Sequence, residues 1–239
     1  MQNTGYVALS YLTGLERKMD IVANNIANVN TTGYKSDHML FNEYVVEASK
    51  QKPVSMVEDV GNYKNFQAGP ITQTGNPLDV ALEGNGFMSI TTANGEKYTR
   101  NGALHLDEKG QLVSSGGDLV NDTGGKPVIL PADAGEVTIT PDGSIATKQG
   151  IIAKLKIVTF ENPQSLAPAG NNTYETSQTG TPDAKTRVIQ GAIEGSNVNA
   201  VLEMSDMIEV SRRYEAVARI LQNEHDSQTS MIQRIGKIQ

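Results

Sequence analysis

Residue types that could carry out chemistry are thinly spread in this chain. Its three histidines, His38, His105 and His225, each lack a second His three to five residues away, and there is no Cys. Zinc ligation or imidazole catalysis would need the fold to gather isolated residues, while thiolate metal sites, cysteine nucleophiles and disulfides are excluded outright. Gly84-Asn85-Gly86-Phe87 begins like a dinucleotide-binding turn, but Ser89 stands where the third Gly belongs. A strand pattern follows it, so a phosphate would have no helix N-terminus to sit on. Gly125-Lys126-Pro127 stops short of a phosphate-cradling Gly-Lys-Ser/Thr loop. Asp107-Glu108-Lys109-Gly110 and Pro141-Asp142-Gly143 lack the alternating carboxylates and distal Glu of a calcium loop, and both suit hairpin turns. Paired carboxylates for glycoside hydrolysis could lie far apart in a chain, but nothing positive points to them. The chain reads as a non-enzyme that needs no cofactor or metal.

Composition narrows the partners. A net charge of -7 without a basic cluster gives no footprint for nucleic acid or an anionic membrane surface. No stretch approaches the roughly 18 apolar residues of a membrane helix, so direct membrane insertion is not expected. Thr13, Glu16, Arg17, Lys18 and Asp20 interrupt any apolar run near the start. A soluble protein that bypasses the general secretory route is expected. Aromatics make up only 5% and Trp is absent, so a lean core without large aromatic anchors is expected. The 23 Gly, mostly central, against nine Pro point to many tight turns.

What remains is the chemistry of association. Leu12, Leu15, Met19, Val22, Ile26 and Val29 step by three and four, and so do Met207, Val210, Tyr214, Val217, Leu221, Glu224, Gln228, Met231, Ile235 and Ile238. That spacing lays a narrow apolar stripe along one side of each helix, the pattern of a coiled-coil seam. The first helix should span about Thr4 to Asn30, roughly 40 Å. Asn28, Asn30, Thr31, Thr32 and Gly33 end it, with Gly33 suited to a left-handed cap. The second should start near Asn197 to Asn199, where Asn can cap, and run roughly 60 Å to the end. Arg212, Arg213, Glu215 and Arg219 lie off its seam and suit a solvated or inter-subunit face. Asn24, Asn25, Asn28 and Asn30 are poor helix formers whose amides could serve a crowded polar junction with other subunits. The plainer alternative is that they only stop the helix.

Between the helices, residues 34–76 show no dominant period and read as an irregular extended linker. From Leu78 the period becomes two: Leu78, Val80 and Leu82 alternate with Asp79, Ala81 and Glu83, and Phe87 to Ile90 follow. Asn94-Gly95 before Tyr98 is a strong hairpin signal. Further turns at Arg100-Asn101-Gly102, Ser115-Gly116-Gly117, Thr123-Gly124-Gly125 and Pro141-Asp142-Gly143 separate short β-prone segments. No helical stretch is long enough for parallel crossovers. The expected class is α+β: a helix over 1–33, a linker over 34–76, a central antiparallel all-β domain over 77–190, and a helix over 191–239. The terminal helices should pair as a coiled-coil-like module.

Several stretches resemble the bacterial flagellar axial family of rod and hook proteins. Ala23-Asn24-Asn25-Ile26-Ala27-Asn28-Val29-Asn30-Thr31-Thr32-Gly33-Tyr34-Lys35 is similar to that family's N-terminal signature. Leu78 to Phe87, Tyr98-Thr99-Arg100-Asn101-Gly102-Ala103, and Leu112-Val113 with its Gly116-Gly117 turn resemble its central motifs. Gly191 to Asn199 and Glu203-Met204 resemble the lead-in to its C-terminal helix. The likeness covers both ends and the centre. Length sets the chain apart from the shortest rod subunits and the longer hook subunits, and Ser211-Arg212-Arg213-Tyr214-Glu215 resembles the proximal-rod branch more than the distal-rod branch.

The resemblance implies a self-assembling structural protein for flagellum-dependent motility. It would leave the cytoplasm through the flagellar type III export apparatus without a cleaved signal peptide. Its helices would pack into the inner tube of the basal-body rod across the periplasm, against copies of itself and other rod subunits, with the β domain outside. The assembly surface expected from the seams and the Asn-rich turn comprises Leu12, Leu15, Met19, Val22, Asn24, Asn25, Ile26, Asn28, Val29, Met207, Val210, Tyr214, Val217, Leu221, Met231 and Ile235. A competing reading is a peptidoglycan-binding module, which would need exposed rings for sugar stacking, with Tyr63, Tyr98 and Tyr174 as candidates. A wall-cleaving enzyme would need two carboxylates converging in a cleft.

Overall fold

The heptad-stepped ends form the two longest elements of the structure, α1 (Gln2–Ala27) and α2 (Ala200–Gly236). This computed structural model describes residues 2–46, 54–131 and 134–236. The Asn199 carboxamide accepts the Val201 and Leu202 amides, 3.1 and 3.3 Å, which caps α2 at the expected residue. α1 ends three residues before the expected Asn30. Gly33 is left-handed, φ 68°, but it lies six residues beyond the helix and does not cap it.

The chain divides into two units. The first combines both helices with residues 37–63. Strand β1 (Asp37–Val46) pairs with β2 (Val54–Lys64) as a two-stranded sheet. These strands occupy much of the stretch expected to be an irregular linker. Their apolar residues follow no simple alternation, so period alone hid them.

The second unit holds residues 28–36 and 64–198. Its strands are short: β3 (Ile71–Gln73), β4 (Val80–Glu83), β5 (Phe87–Thr92), β6 (Gly95–Thr99), β7 (Leu104–Leu106), β8 (Leu112–Ser114) and β9 (Leu119–Val120). There follow β10 (Thr138–Ile139), β11 (Ser144–Thr147), β12 (Gly150–Lys154), β13 (Ile157–Thr159), β14 (Ala167–Pro168), β15 (Thr173–Glu175), β16 (Thr181–Pro182), β17 (Arg187–Gln190) and β18 (Ala192–Glu194). Every strand pairing described here in full register is antiparallel. The main sheet runs β14-β15-β6-β5-β9-β8-β7, with β13 on β5 and β16 on β13. The Asn94-Gly95 signal is realised as the β5–β6 hairpin, Thr92 opposite Gly95. The last two strands before α2 return to the start of this unit: β17 pairs with β4 and β18 with β3.

Two apolar clusters fill the second unit. Aliphatic side chains including Val80, Leu82, Ile90, Leu112, Val120, Ile145, Leu155 and Val188 form the larger one. The other is aromatic: Phe87, Tyr98, Phe160 and Tyr174 with Phe66 against them. Its rings meet edge-on, Phe66–Phe87 at 5.6 Å and Tyr98–Phe160 at 4.8 Å between centroids. The scarce aromatics therefore do serve as core anchors, because they are concentrated in one place where edge-to-face packing adds to burial.

Candidate functional site

In the first unit the two seams face one another. Leu12, Leu15, Val22 and Val210 are buried, and Met19, Ile26, Met207, Tyr214, Val217 and Leu221 are half-buried. The Tyr214 hydroxyl donates to Glu16 Oε1 at 3.0 Å, and Asn25 Nδ2 donates to Glu203 Oε1 at 3.2 Å. Moving back along α1 thus moves forward along α2, so the helices run antiparallel. Hydrogen bonding to the Glu16 carboxylate raises the Tyr214 pKa. Met231 lies beyond the level at which α1 begins and is exposed. The side chain of Ile235, and all of Ile238, lie outside the described residues. Arg212, Arg213, Glu215 and Arg219 are exposed, with Arg213 paired to Glu209 one turn back.

The Asn-rich turn divides by role. Asn25 is buried, and its amide spans three segments of the first unit: Nδ2 donates to the Asp37 carbonyl at 2.9 Å and Oδ1 accepts the Asp37 amide at 3.0 Å, besides the Glu203 contact. Its hydrogen-bonding capacity is therefore spent inside the chain. Asn28 accepts from the Thr31 amide and hydroxyl, both 3.1 Å, which shapes the turn in the second unit. Val29 is half-buried, and Asn24 and Asn30 are exposed.

The second unit brings the three family-like motifs to one buried ionic node. Lys35 Nζ meets Glu194 Oε1 at 2.6 Å, and Arg100 Nη1 meets Glu194 Oε2 at 3.1 Å. None of the three side chains is more than 1% exposed. Lys35 also donates to the Gln67 carbonyl at 2.7 Å, and the Gly69 amide donates to Glu194 Oε1 at 2.9 Å. Arg100 donates to the Leu82 and Gly84 carbonyls, and its guanidinium lies 5.2 Å from the centroid of Phe87. Burial lowers the Lys35 pKa, against the pull of its hydrogen bond to Glu194, and the nearby Arg100 charge lowers it further.

Backbone fit explains why the motifs carry glycine here. The Gly33 amide donates to the Glu194 carbonyl at 2.7 Å, and a Cβ on Gly33 would stand 2.6 Å from the Arg100 carbonyl carbon. A Cβ on Gly102 would stand 1.7 Å from the Val80 oxygen, a distance no rearrangement of a side chain could relieve. Asn197 completes the assembly: its carboxamide accepts the Ser36 amide at 2.8 Å and donates to the Asn65 and Gln67 carbonyls at 2.7 and 3.1 Å. Segments 28–36, 64–69 and 194–198 are tied by these two side chains, Glu194 and Asn197. In the sequence Lys35, Arg100, Glu194 and Asn197 stand only as parts of turns or motif stretches. The available signal was Glu194 two residues after Ala192, on the buried side of a strand.

Groups that could suggest other chemistry are engaged elsewhere. Tyr98 and Tyr174 belong to the aromatic core, leaving only Tyr63 partly exposed, stacked on His38 at 5.3 Å. Two of the three rings expected to stack on sugar are thus packed inside the second unit. Gly86 donates its amide to Thr186 Oγ1 at 2.9 Å, so the glycine-rich turn packs against protein. Among the described residues three carboxylates have shifted pKa values, all downward. Hydrogen bonds from Thr140, Lys154 and Ser144 hold Asp142 down. At Glu96 burial pushes upward but the Lys156 and Ser89 hydrogen bonds outweigh it, and at Asp183 Thr186 does the same. Among the described residues no three His, Asp or Glu converge to hold a metal ion.

Comparison with known proteins matches the same three regions. Residues 6–35 fit the model described as flagella basal body rod protein, and residues 189–234 fit the flagellar basal body rod FlgEFG protein C-terminal. Residues 81–147 fit the flagellar hook protein FlgE/F/G D1 domain. The chain is 36% identical to a flagellar basal-body rod protein FlgF of Caulobacter vibrioides, covering 100% of both chains. It is 33% identical to one of Mesorhizobium japonicum over 99% of both. It is 30% identical to a flagellar basal-body rod protein FlgG of Bacillus subtilis, covering 90% of this chain and 92% of that one. With signatures at both ends joined to one β unit, and relatives matched from end to end, the chain belongs to the flagellar basal-body rod protein family and is a structural subunit of the basal body.

Proposed function

We propose that this rod subunit builds the proximal rod, with α1 and α2 forming a coiled-coil-like core module inside the tube and the β unit forming its outer wall. The observation that carries this reading is the antiparallel α1–α2 pair, whose seams are matched within the chain while further apolar side chains stay exposed on the same helices. Full-length similarity to rod proteins named FlgF, and the Ser211-Arg212-Arg213-Tyr214-Glu215 stretch, support the proximal position over the distal one. Export through the flagellar type III apparatus, passage into the periplasm, and assembly with copies of itself and other rod subunits follow from that place in the rod. No helix among the described residues is long and apolar enough to cross a membrane, which fits a shaft component rather than an anchor.

Leu221→Asp tests the reading. Leu221 is half-buried on the α2 seam, and a carboxylate there would be desolvated without a partner, at a cost of roughly several kcal/mol. The variant should accumulate, keep the circular dichroism of the β unit, and yield cells without complete rods. Normal swimming with normal basal-body yield would refute the role of the helix pair. Complete rods in a strain lacking the gene would refute the function itself.

A further inference from the structure

Four cations line one groove of the second unit. Lys154 and Lys156 stand two residues apart at the junction of β12 and β13, and Lys185 and Arg187 two apart at the entry to β17. Each pair flanks a buried residue, Leu155 in the first and Thr186 in the second. Alternation along extended chain therefore turns both members of a pair to one side. Two stretches far apart in an acidic chain are thereby folded into one basic site, which no local cluster in the sequence announces. The groove measures about 890 Å³, within the range of ligand-holding clefts. Leu155, Ile157, Val158, Pro182 and Ala184 give it an apolar lining.

The two carboxylates of the groove are already engaged. Asp142 accepts from the Thr140 and Ser144 hydroxyls at 2.5 and 2.8 Å and from Lys154 at 2.9 Å. Asp183 accepts the Thr186 hydroxyl at 2.6 Å and the Lys185 amide at 2.8 Å. Lys154 is thus held by Asp142, and Lys156 by Glu96 at 2.6 Å. Lys185 and Arg187 differ. Both are exposed, and neither side-chain cation makes an ion pair or hydrogen bond among the described residues. Arg187 sits directly opposite Glu83 in the β17–β4 register, where opposite charges come within reach. The two nevertheless form no ion pair, and Arg187 lines the groove instead. The lining carries four cations against two carboxylates, on a chain whose net charge is -7.

An occupant that fits is anionic, partly apolar and elongated. Residues two apart in extended chain lie roughly 6.6 Å apart. An extended peptide with carboxylates at every second position repeats at that same distance, so it can match both cation pairs at once. A compact anion such as phosphate can meet only one pair, and a nucleic acid would be repelled by the acidic remainder of the surface. We propose that the groove is a docking site for an acidic, extended segment of a partner protein. Lys185 and Arg187 make the new ion pairs, and Lys154 and Lys156 add to the attractive field. The site lies wholly within the second unit, so it does not depend on how the helix pair joins the rod.

Calorimetric titration of the purified full-length protein with the end-blocked peptide Glu-Val-Glu-Val-Glu, followed by amide chemical shifts, tests this. The peptide should bind and move the amides of residues 154–158 and 183–187. Binding should weaken as salt is raised past about 0.1 M, where the screening length is about 10 Å. Lys185→Glu/Arg187→Glu should weaken it about tenfold or more, since two exposed ion pairs are lost and reversed. Neither side chain has an internal partner to lose, and unchanged circular dichroism checks the fold. Lys185→Gln/Arg187→Gln, which adds no like charge beside Asp183 and Glu83, takes its place if the first variant unfolds. Equal binding of Gln-Val-Gln-Val-Gln, shifts elsewhere on the protein, unchanged affinity in the double variants, or no binding up to about 1 mM would each overturn the proposal. So would phosphate alone reproducing the shifts at the same concentration, which would make this a small-anion site. Self-association of the wild-type chain that the double variant abolishes would overturn it too, by making the occupant a second copy.

Discussion

Glu194→Gln should be far more damaging than Lys35→Met, although both remove one charge from the same ion pair. The node holds two cations and one carboxylate, all buried, so its charges do not balance. Glu194 serves both cations and also accepts the Gly69 amide. Neutralising it leaves Lys35 and Arg100 facing each other without a counter-charge, in a site closed to water. Removing one partner of a buried pair costs about 3–5 kcal/mol, and the doubled demand here places the loss near the upper end, about 4–5 kcal/mol. Lys35→Met instead leaves a one-to-one Arg100–Glu194 pair with the Gly69 amide still bound. It loses the Lys35 hydrogen bonds but also removes the most heavily penalised charge, so its net effect should stay within about 1 kcal/mol.

Urea unfolding followed by β-type circular dichroism reads the difference. With an m-value of about 2 kcal/mol/M, the Glu194→Gln midpoint should fall by about 2 M and the Lys35→Met midpoint by no more than about 0.5 M. The Gly69 amide should lose hydrogen-exchange protection in Glu194→Gln and keep it in Lys35→Met. Equal losses for the two variants, or a Glu194→Gln midpoint within about 0.5 M of wild type, would refute the argument that charge imbalance governs this site.

Lys35 also sets a pH dependence. Its folded pKa lies below the ordinary 10.5, so between the two values the unfolded chain binds more protons and stability rises with pH. Tyr98 and Tyr214, whose pKa values are raised, act in the opposite sense, so the Lys35 contribution is read as wild type minus Lys35→Met in alkaline urea titrations. A difference that does not grow between neutral pH and 10.5 would refute it. Asn25→Ala deletes at least three hydrogen bonds at a buried position. It should destabilise the first unit by about 1–3 kcal/mol despite the better helix propensity of Ala, with faster exchange at the Asp37 amide; a raised melting temperature would contradict this. Gly102→Ala should yield insoluble or strongly destabilised protein, whereas Gly5→Ala, in a helix with nothing within 4 Å of the added carbon, should stabilise by up to about 1 kcal/mol. Thermal unfolding of the two variants checks both directions.

Local periodicity and turn chemistry were legible from residues alone. Three-and-four stepping placed α1 and α2, because one apolar face per helix follows from backbone geometry and needs no knowledge of what it meets. Asn199 capped α2, and Asn94-Gly95 closed a hairpin, for the same reason: each acts on its own neighbours. The family motifs were legible as motifs. What they are for was not. Only the tertiary structure decided that the two helices pair antiparallel with Asn25 level with Glu203, that Asn25 spends its amide within the chain, and that β1 and β2 pair in a stretch without period. It also decided that Lys35, Arg100 and Glu194, the last two separated by 94 residues, share one buried site. A charged residue in a turn motif is ordinarily solvated, and nothing local says otherwise. Whether it is buried depends on which distant carboxylate, carbonyl and ring the fold delivers to it, and that electrostatic balance is a property of the assembled space rather than of the chain.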